Sequence, residues 1–106
     1  MSGRRILNNR RPGENFELRH GGQNTVFTIT TGHYPDGTIG EVFISGPKSG
    51  SEVDAVARDG AILLSLSLQH GVPLETIRHA MTREPDGSAS TIVGAVVDEI
   101  SRKDKQ

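Results

Sequence analysis

The chain has 106 residues, with 12 Lys and Arg against 13 Asp and Glu. Its formal net charge is −1, so no global field draws it to nucleic acid or to an anionic membrane. Cysteine is absent, which excludes disulfides, thiolate metal sites and thiol redox chemistry in this polypeptide, and with no Trp, three Phe and one Tyr the core must be built from Leu, Ile, Val and Ala.

Residues 1–13 carry Arg4, Arg5, Arg10 and Arg11 without an acid and end at Pro12-Gly13. They read as an extended basic arm ahead of a single domain over residues 14–106. The opening MSGRRILNNRRP has charge but no apolar stretch, so no secretory signal is expected. No run approaches the ~18 apolar residues of a membrane span, and the expected location is cytoplasmic.

FELRH (16–20) predicts a short strand, ended by Gly21-Gly22. TVFTITT (25–31) predicts a second, with Phe27 and Ile29 on one face and Val26, Thr28 and Thr30 on the other. Tyr34-Pro35-Asp36-Gly37 suits a type I turn, with Pro second and Gly last. TIGEVFIS (38–45) returns antiparallel, with Ile39 and Phe43 on one face and Val42 and Ile44 on the other. Apolar groups on both faces predict a strand that is central or covered twice.

GPKSGS (46–51) is a loop ending in a helix cap. Ser49 or Ser51 accepts from the first free N–H groups, and Glu52 and Asp54 suit the positive end of the dipole. A helix over about 52–70 follows, with Val53, Val56, Ala57, Gly60, Ala61, Leu63, Leu64, Leu66 and Leu68 forming a face wider than a one-sided surface helix needs. That width predicts burial on most sides, by its own domain or by a partner chain. Gly71 and Pro73 end one helix and start another over about 73–82, carrying Leu74, Ile77 and Met81. After a turn at 84–88, a third helix over about 90–102 carries Ile92, Val93, Val96, Val97 and Ile100, and Arg102 to Gln106 should fray. The fold expected is α+β: an antiparallel sheet, the hairpin plus one or two further strands, packed against three helices.

From Phe43 to Ile100 the sequence resembles the TSCPD domain. That domain forms the C-terminal part of many adenosylcobalamin-dependent ribonucleotide reductases and also occurs as short separate proteins. The likeness rests on Glu41-Val42-Phe43-Ile44, on Lys48-Ser49-Gly50 in a glycine loop, on the Ser-Leu-x-Leu-Gln-x-Gly-Val-Pro run from Ser65 to Pro73, and on Ser90 to Ile100 in the place of the last helix. The resemblance implies a short stand-alone member with ribonucleotide reductase ancestry and a tie to nucleotide metabolism. The chain departs from the family pattern in lacking the Thr-Ser-Cys-Pro-Asp motif. Ribonucleotide reduction further needs a large barrel with several cysteines and a cobalamin site, so the resemblance implies no reductase activity here.

The best candidate site is Lys48, Ser49, Gly50 and Ser51. A glycine loop opening a helix aims N–H groups at one spot and Lys48 adds charge, which suits phosphate, although the Walker spacing is absent and such loops also simply join strand to helix. Arg10 and Arg11 could close over the same ligand, or lie in a solvated tail. His33 and Tyr34, next to Asp36, could stack on a base or merely finish the turn. His20, His33, His70 and His79 show no H-E-x-x-H spacing, and no Ser or Thr can be set beside a His from sequence, so no catalytic residue, metal or cofactor is assigned. Two functional readings stand: a non-catalytic, reductase-related module binding a nucleotide or another phosphate-bearing small molecule, as a homo-oligomer, or a regulatory module docking on a larger protein such as a reductase. A small hydrolase or transferase using Ser and His groups is the third.

Overall fold

The computed structural model describes residues 3–48 and 50–104. Strands β1 (Gly13–His20), β2 (Thr25–His33) and β3 (Ile39–Ser45) form an antiparallel sheet in the order β1-β2-β3. Helices α1 (Glu52–Gln69), α2 (Leu74–Ala80) and α3 (Ile92–Asp104) follow. The fold is α+β, with one strand added to the expected hairpin. Its turn closes through the Gly37 N–H donating to the Tyr34 carbonyl at 2.8 Å, and Gly37 takes a φ of +91°, which a side chain would resist.

Strand alternation decides the layers. Phe16 and Leu18 of β1 stand opposite Ile29 and Phe27 of β2, and Ile44 of β3 stands opposite Ile29. These side chains and Val42 meet Ala57, Ala61 and Leu64 of α1 and Ile92, Val96, Val97 and Ile100 of α3. The other face of the sheet is wet: Asn15, Glu17, Thr28 and Phe43 are all exposed.

Two expectations are corrected here. β3 is an edge strand, neither central nor covered twice; Val42 and Ile44 point into the core, whereas Phe43 is 55% exposed on the outer face. α1 is likewise not enclosed by its own domain. Val53, Val56, Ile62, Leu63 and Leu66 are exposed, because a three-stranded sheet, α3 and a short α2 with no buried residue cover it on one side only.

α1 instead lies along the free edge of β3 and caps it. The Ser65 hydroxyl accepts from the Val42 N–H at 2.9 Å and donates to the Val42 carbonyl at 3.1 Å. Gln69 Nε2 donates to the Gly40 carbonyl at 2.9 Å, and Asp54 Oδ1 accepts from the Gly46 N–H at 3.1 Å. Four helical residues rise about 6 Å and two strand residues about 6.6 Å, so the two repeats stay nearly in step.

The arm is extended, and it is also fastened. The Arg5 N–H donates to the Gln69 carbonyl at 2.7 Å, and the Tyr34 hydroxyl donates to the Arg5 carbonyl at 2.9 Å. The Arg5 guanidinium lies 3.7 Å from the centre of the Tyr34 ring and pairs with Asp36 at 3.1 Å. At the other terminus α3 stays helical through Asp104, where fraying was expected from Arg102; Lys103 Nζ sits 3.7 Å from the centre of the Phe16 ring, and Arg102 pairs with Glu99. Lys105 and Gln106 lie outside the described residues. Arg83 ties the segment before α3 to that helix, its fork meeting both Asp98 oxygens at 2.6 and 2.8 Å.

Removing the Ser65 hydroxyl leaves the Val42 N–H and carbonyl without their partner at a part-buried site. Ser65→Ala is expected to cost about 1–3 kcal/mol. Ser67→Ala, which removes an exposed hydroxyl bonded only within α1, should stay within about 0.5 kcal/mol of wild type. Urea unfolding of both variants checks the pair; equal losses would show that the edge cap contributes nothing.

Candidate functional site

The start of α1 is built by a short loop. Gly50 takes a φ of +84°, and the Ser51 hydroxyl then donates to the Lys48 carbonyl and accepts from the Asp54 N–H, both at 3.1 Å. Asp54 is 5% exposed and bridges the loop to α1. Its carboxyl is held below the usual range first by the Gly46 N–H and then by Arg58, which pairs with it at 3.0 Å. α3 starts in the same neighbourhood, its first turn closed by the Thr91 hydroxyl accepting from the Gly94 N–H at 3.0 Å.

Between these two helix starts and the Gly21–Gln23 turn lies a groove of about 630 Å³. Phe27, Val53, Val56 and Val93 give it apolar walls, while Gln23, Lys48, Ser51 and Thr91 supply polar groups. His20 also lines it, with Nε2 3.4 Å from the Ser90 carbonyl. Glu52 stands at the same rim and opposes an anion there. The arrangement suits a ligand with a flat apolar body and one polar end.

The sequence-based candidates separate into two groups. Lys48 and Ser51 line the groove, Gly50 shapes the loop between them, and Ser49 lies outside the described residues. Arg11 does not close over this site. It bonds Glu41 and the Asn8 carbonyl, in an arm fastened at the C-terminal end of α1, about 27 Å of helix away from the loop. Arg10 is exposed on that same arm. Tyr34 is not placed to stack on a base: its ring is 3% exposed, and a Cβ on Gly40 would come within 2.5 Å of it. His33 is tied within the hairpin, Nε2 to the Thr31 hydroxyl at 2.9 Å and Nδ1 to the Gly37 carbonyl at 3.1 Å.

That Thr31–His33 contact is a hydroxyl on an imidazole, and Thr31 is 4% exposed. Among the described residues, no three His, Asp or Glu side chains gather as a metal site would require. No helix among them is long and apolar enough to cross a membrane. The sequence reading missed His20, Gln23, Thr91 and the valine wall of the groove. Gly21-Gly22 marks a turn, but nothing local joins it to segments 25 and 70 residues further on.

The family model of the TSCPD domain matches residues 4–102, from the arm through the last helix. The chain belongs to the TSCPD domain family. Similar proteins include the vitamin B12-dependent ribonucleotide reductase of Agrobacterium fabrum, 42% identical over 79 residues and 74% of this chain. Those of Rhodopirellula baltica and Streptomyces clavuligerus are 41% identical over 81 residues (70% of the chain) and 34% identical over 107 residues (94% of it). The chain spans only 6%, 8% and 11% of these three relatives. No solved structure gives a significant match. In this TSCPD domain the run from Ser65 to Pro73 caps an edge strand and turns the chain: Ser65 and Gln69 hold β3, Gly71 takes a φ of +88°, and Pro73 precedes α2.

At the opposite end of α1, Asp36 is pulled down to about 2, first by the Thr38 hydroxyl, then by the Thr38 N–H and Arg5. A depressed carboxylate stabilises the fold fully above its unfolded value near 4, and that contribution fades as pH falls towards 2. In a carboxyl-carbon NMR titration Asp36 should have its midpoint near 2, and Thr38→Ala should raise it. A wild-type midpoint at the ordinary value would mean that this turn is not formed in solution.

Proposed function

We propose that this TSCPD domain is a non-catalytic binding module that takes a nucleotide, or another phosphate-bearing small molecule, in the groove at the start of α1. The groove carries the reading. Its volume of about 630 Å³ falls in the usual range for small-molecule sites. Apolar walls suit a base and sugar, and Lys48 beside the capped helix start suits a phosphate. The named relatives are reductases of ribonucleotides, which makes nucleotides the first ligands to test. Glu52 weakens an anion site, so the apolar walls must carry much of the affinity.

A second reading, docking on a larger protein such as a reductase, is favoured by the exposed apolar residues of α1. Calorimetry with nucleotides separates the two. Lys48→Ala should lose about 1.5–3 kcal/mol, roughly tenfold or more in affinity, as expected for a charge-assisted hydrogen bond. Equal binding by wild type and Lys48→Ala would move the site elsewhere; no nucleotide binding at all would favour docking. Without a thiol, the purified chain should reduce no ribonucleotide with or without adenosylcobalamin, and any deoxynucleotide above background would overturn that.

A further inference from the structure

We propose that a second copy of this chain roofs the groove, the two α1 helices packing antiparallel about a twofold axis beside Asp59 and Gly60. Leu66 and Leu63 of each copy then cover Val53 and Val56 of the other. This rests on the reading of the groove as the ligand site.

Val53 and Val56 line the groove, yet they are 62% and 61% exposed, so its outer wall is open. The apolar stripe does not stop at the groove. It continues along α1 through Leu63, 66% exposed, to Leu66, 36% exposed, over about 20 Å of helix. The spacing of this stripe is palindromic: 53 and 66, and 56 and 63, share one midpoint between Asp59 and Gly60. In an antiparallel pair centred there, every apolar side chain of the stripe meets an apolar side chain of the other copy. An unrelated partner would place no such demand on the order of residues.

The area fits a weak dimer. The four residues of the stripe leave on the order of 200 Å² of apolar surface exposed per copy, taking roughly 60–120 Å² for each fully exposed Val or Leu side chain. A standard interface takes roughly 800 Å² from each partner, a little over half of it apolar. The stripe thus supplies a little under half of that apolar share, which fits a weak, concentration-dependent pairing. The two Asp59 carboxylates meet near the axis and oppose the pair. Sheet extension through β3 offers a second copy less, because α1 side chains already hold Gly40 and Val42 on that edge.

A chain without cysteine permits a direct test. Val56→Cys and Leu63→Cys chains are mixed under mild oxidation or with a short bis-maleimide, and each is also treated alone. The mixture should cross-link, and each variant alone should do so far less, since 56 faces 63 across the axis and neither faces itself. Sedimentation should show a concentration-dependent dimer that Leu63→Asp abolishes and Asp59→Asn tightens. Circular dichroism confirms that Leu63→Asp folds, as its 66% exposure allows. Leu63→Asp should also weaken nucleotide binding roughly tenfold, the loss of one interface hot spot. A strict monomer at high micromolar concentration, a dimer indifferent to Leu63→Asp, cross-linking no better in the mixture than alone, or wild-type nucleotide affinity in Leu63→Asp would each overturn the proposal. If the pair cross-links as expected and no nucleotide binds, the groove reading falls while the pairing stands. If nucleotide binds and the pairing tests fail, the reverse holds.

Discussion

The free edge of β3 constrains the rest of the molecule. Its outward N–H and C=O groups need partners, and α1 supplies them through Ser65 and Gln69, with Asp54 satisfying the Gly46 N–H just beyond the strand. A helix held that close must face the strand with short side chains. Ala57 and Ala61, 0% and 3% exposed, stand on that side with Ser65. Once α1 is fixed there, the described elements leave the side that carries Leu63 uncovered. The exposure of Val56 and Leu63 is a consequence of sealing the edge, because one helix cannot both lie along a strand and be enclosed by a three-stranded sheet.

The same contacts explain what family membership does and does not carry. The run from Ser65 to Pro73 is the most distinctive part of the sequence, and the side chains of its Ser65, Ser67 and Gln69 bond the backbone of this chain. Ser65 and Gln69 hold β3, and the Gln69 carbonyl also receives the Arg5 N–H, so the arm and the edge cap share one residue. The run specifies how the domain folds. The relatives' reaction lies in proteins of which this chain spans about a tenth or less.

Much of the fold was legible because it is written locally. Phe27 and Ile29 alternate with threonines, Pro35 and Gly37 set the hairpin turn, and Ser51 caps α1 as its position suggests. β3 was misread because alternation reports how apolar each face is and cannot say what covers it; Phe43 is simply an apolar residue on a wet face. The width of the apolar face on α1 likewise does not say whether its own domain or a partner chain covers it. The arm was only half read: four arginines look solvated until Tyr34 and Gln69 are brought beside Arg5 by contacts 29 and 64 residues away in sequence. The groove was half read too. Lys48 and Ser51 announce a loop at a helix start, whereas Gln23 and Thr91 reach it only through the packing of β1, β2 and α3 around the core.

Charge and shape divide the domain between two ends of α1. At the C-terminal end two of the arm's cations are matched, Arg5 by Asp36 and Arg11 by Glu41, and the Tyr34 ring is covered. That end is a fastening, and Arg4, Arg5 and Arg11 are committed to the fold. At the N-terminal end Lys48 shares the rim with Glu52, and Asp54 is already paired with Arg58, so the local field is weak for either sign of ligand. What remains distinctive there is a concave apolar wall with a few polar groups at one side, open where the exposed stripe of α1 begins. Ligand affinity at such a site depends on excluding water from the valines more than on attracting charge. A groove open along its valine side excludes water poorly by itself. Closing that side and holding a small molecule are therefore one physical requirement, and the surface able to meet it is the part of α1 that edge sealing left bare.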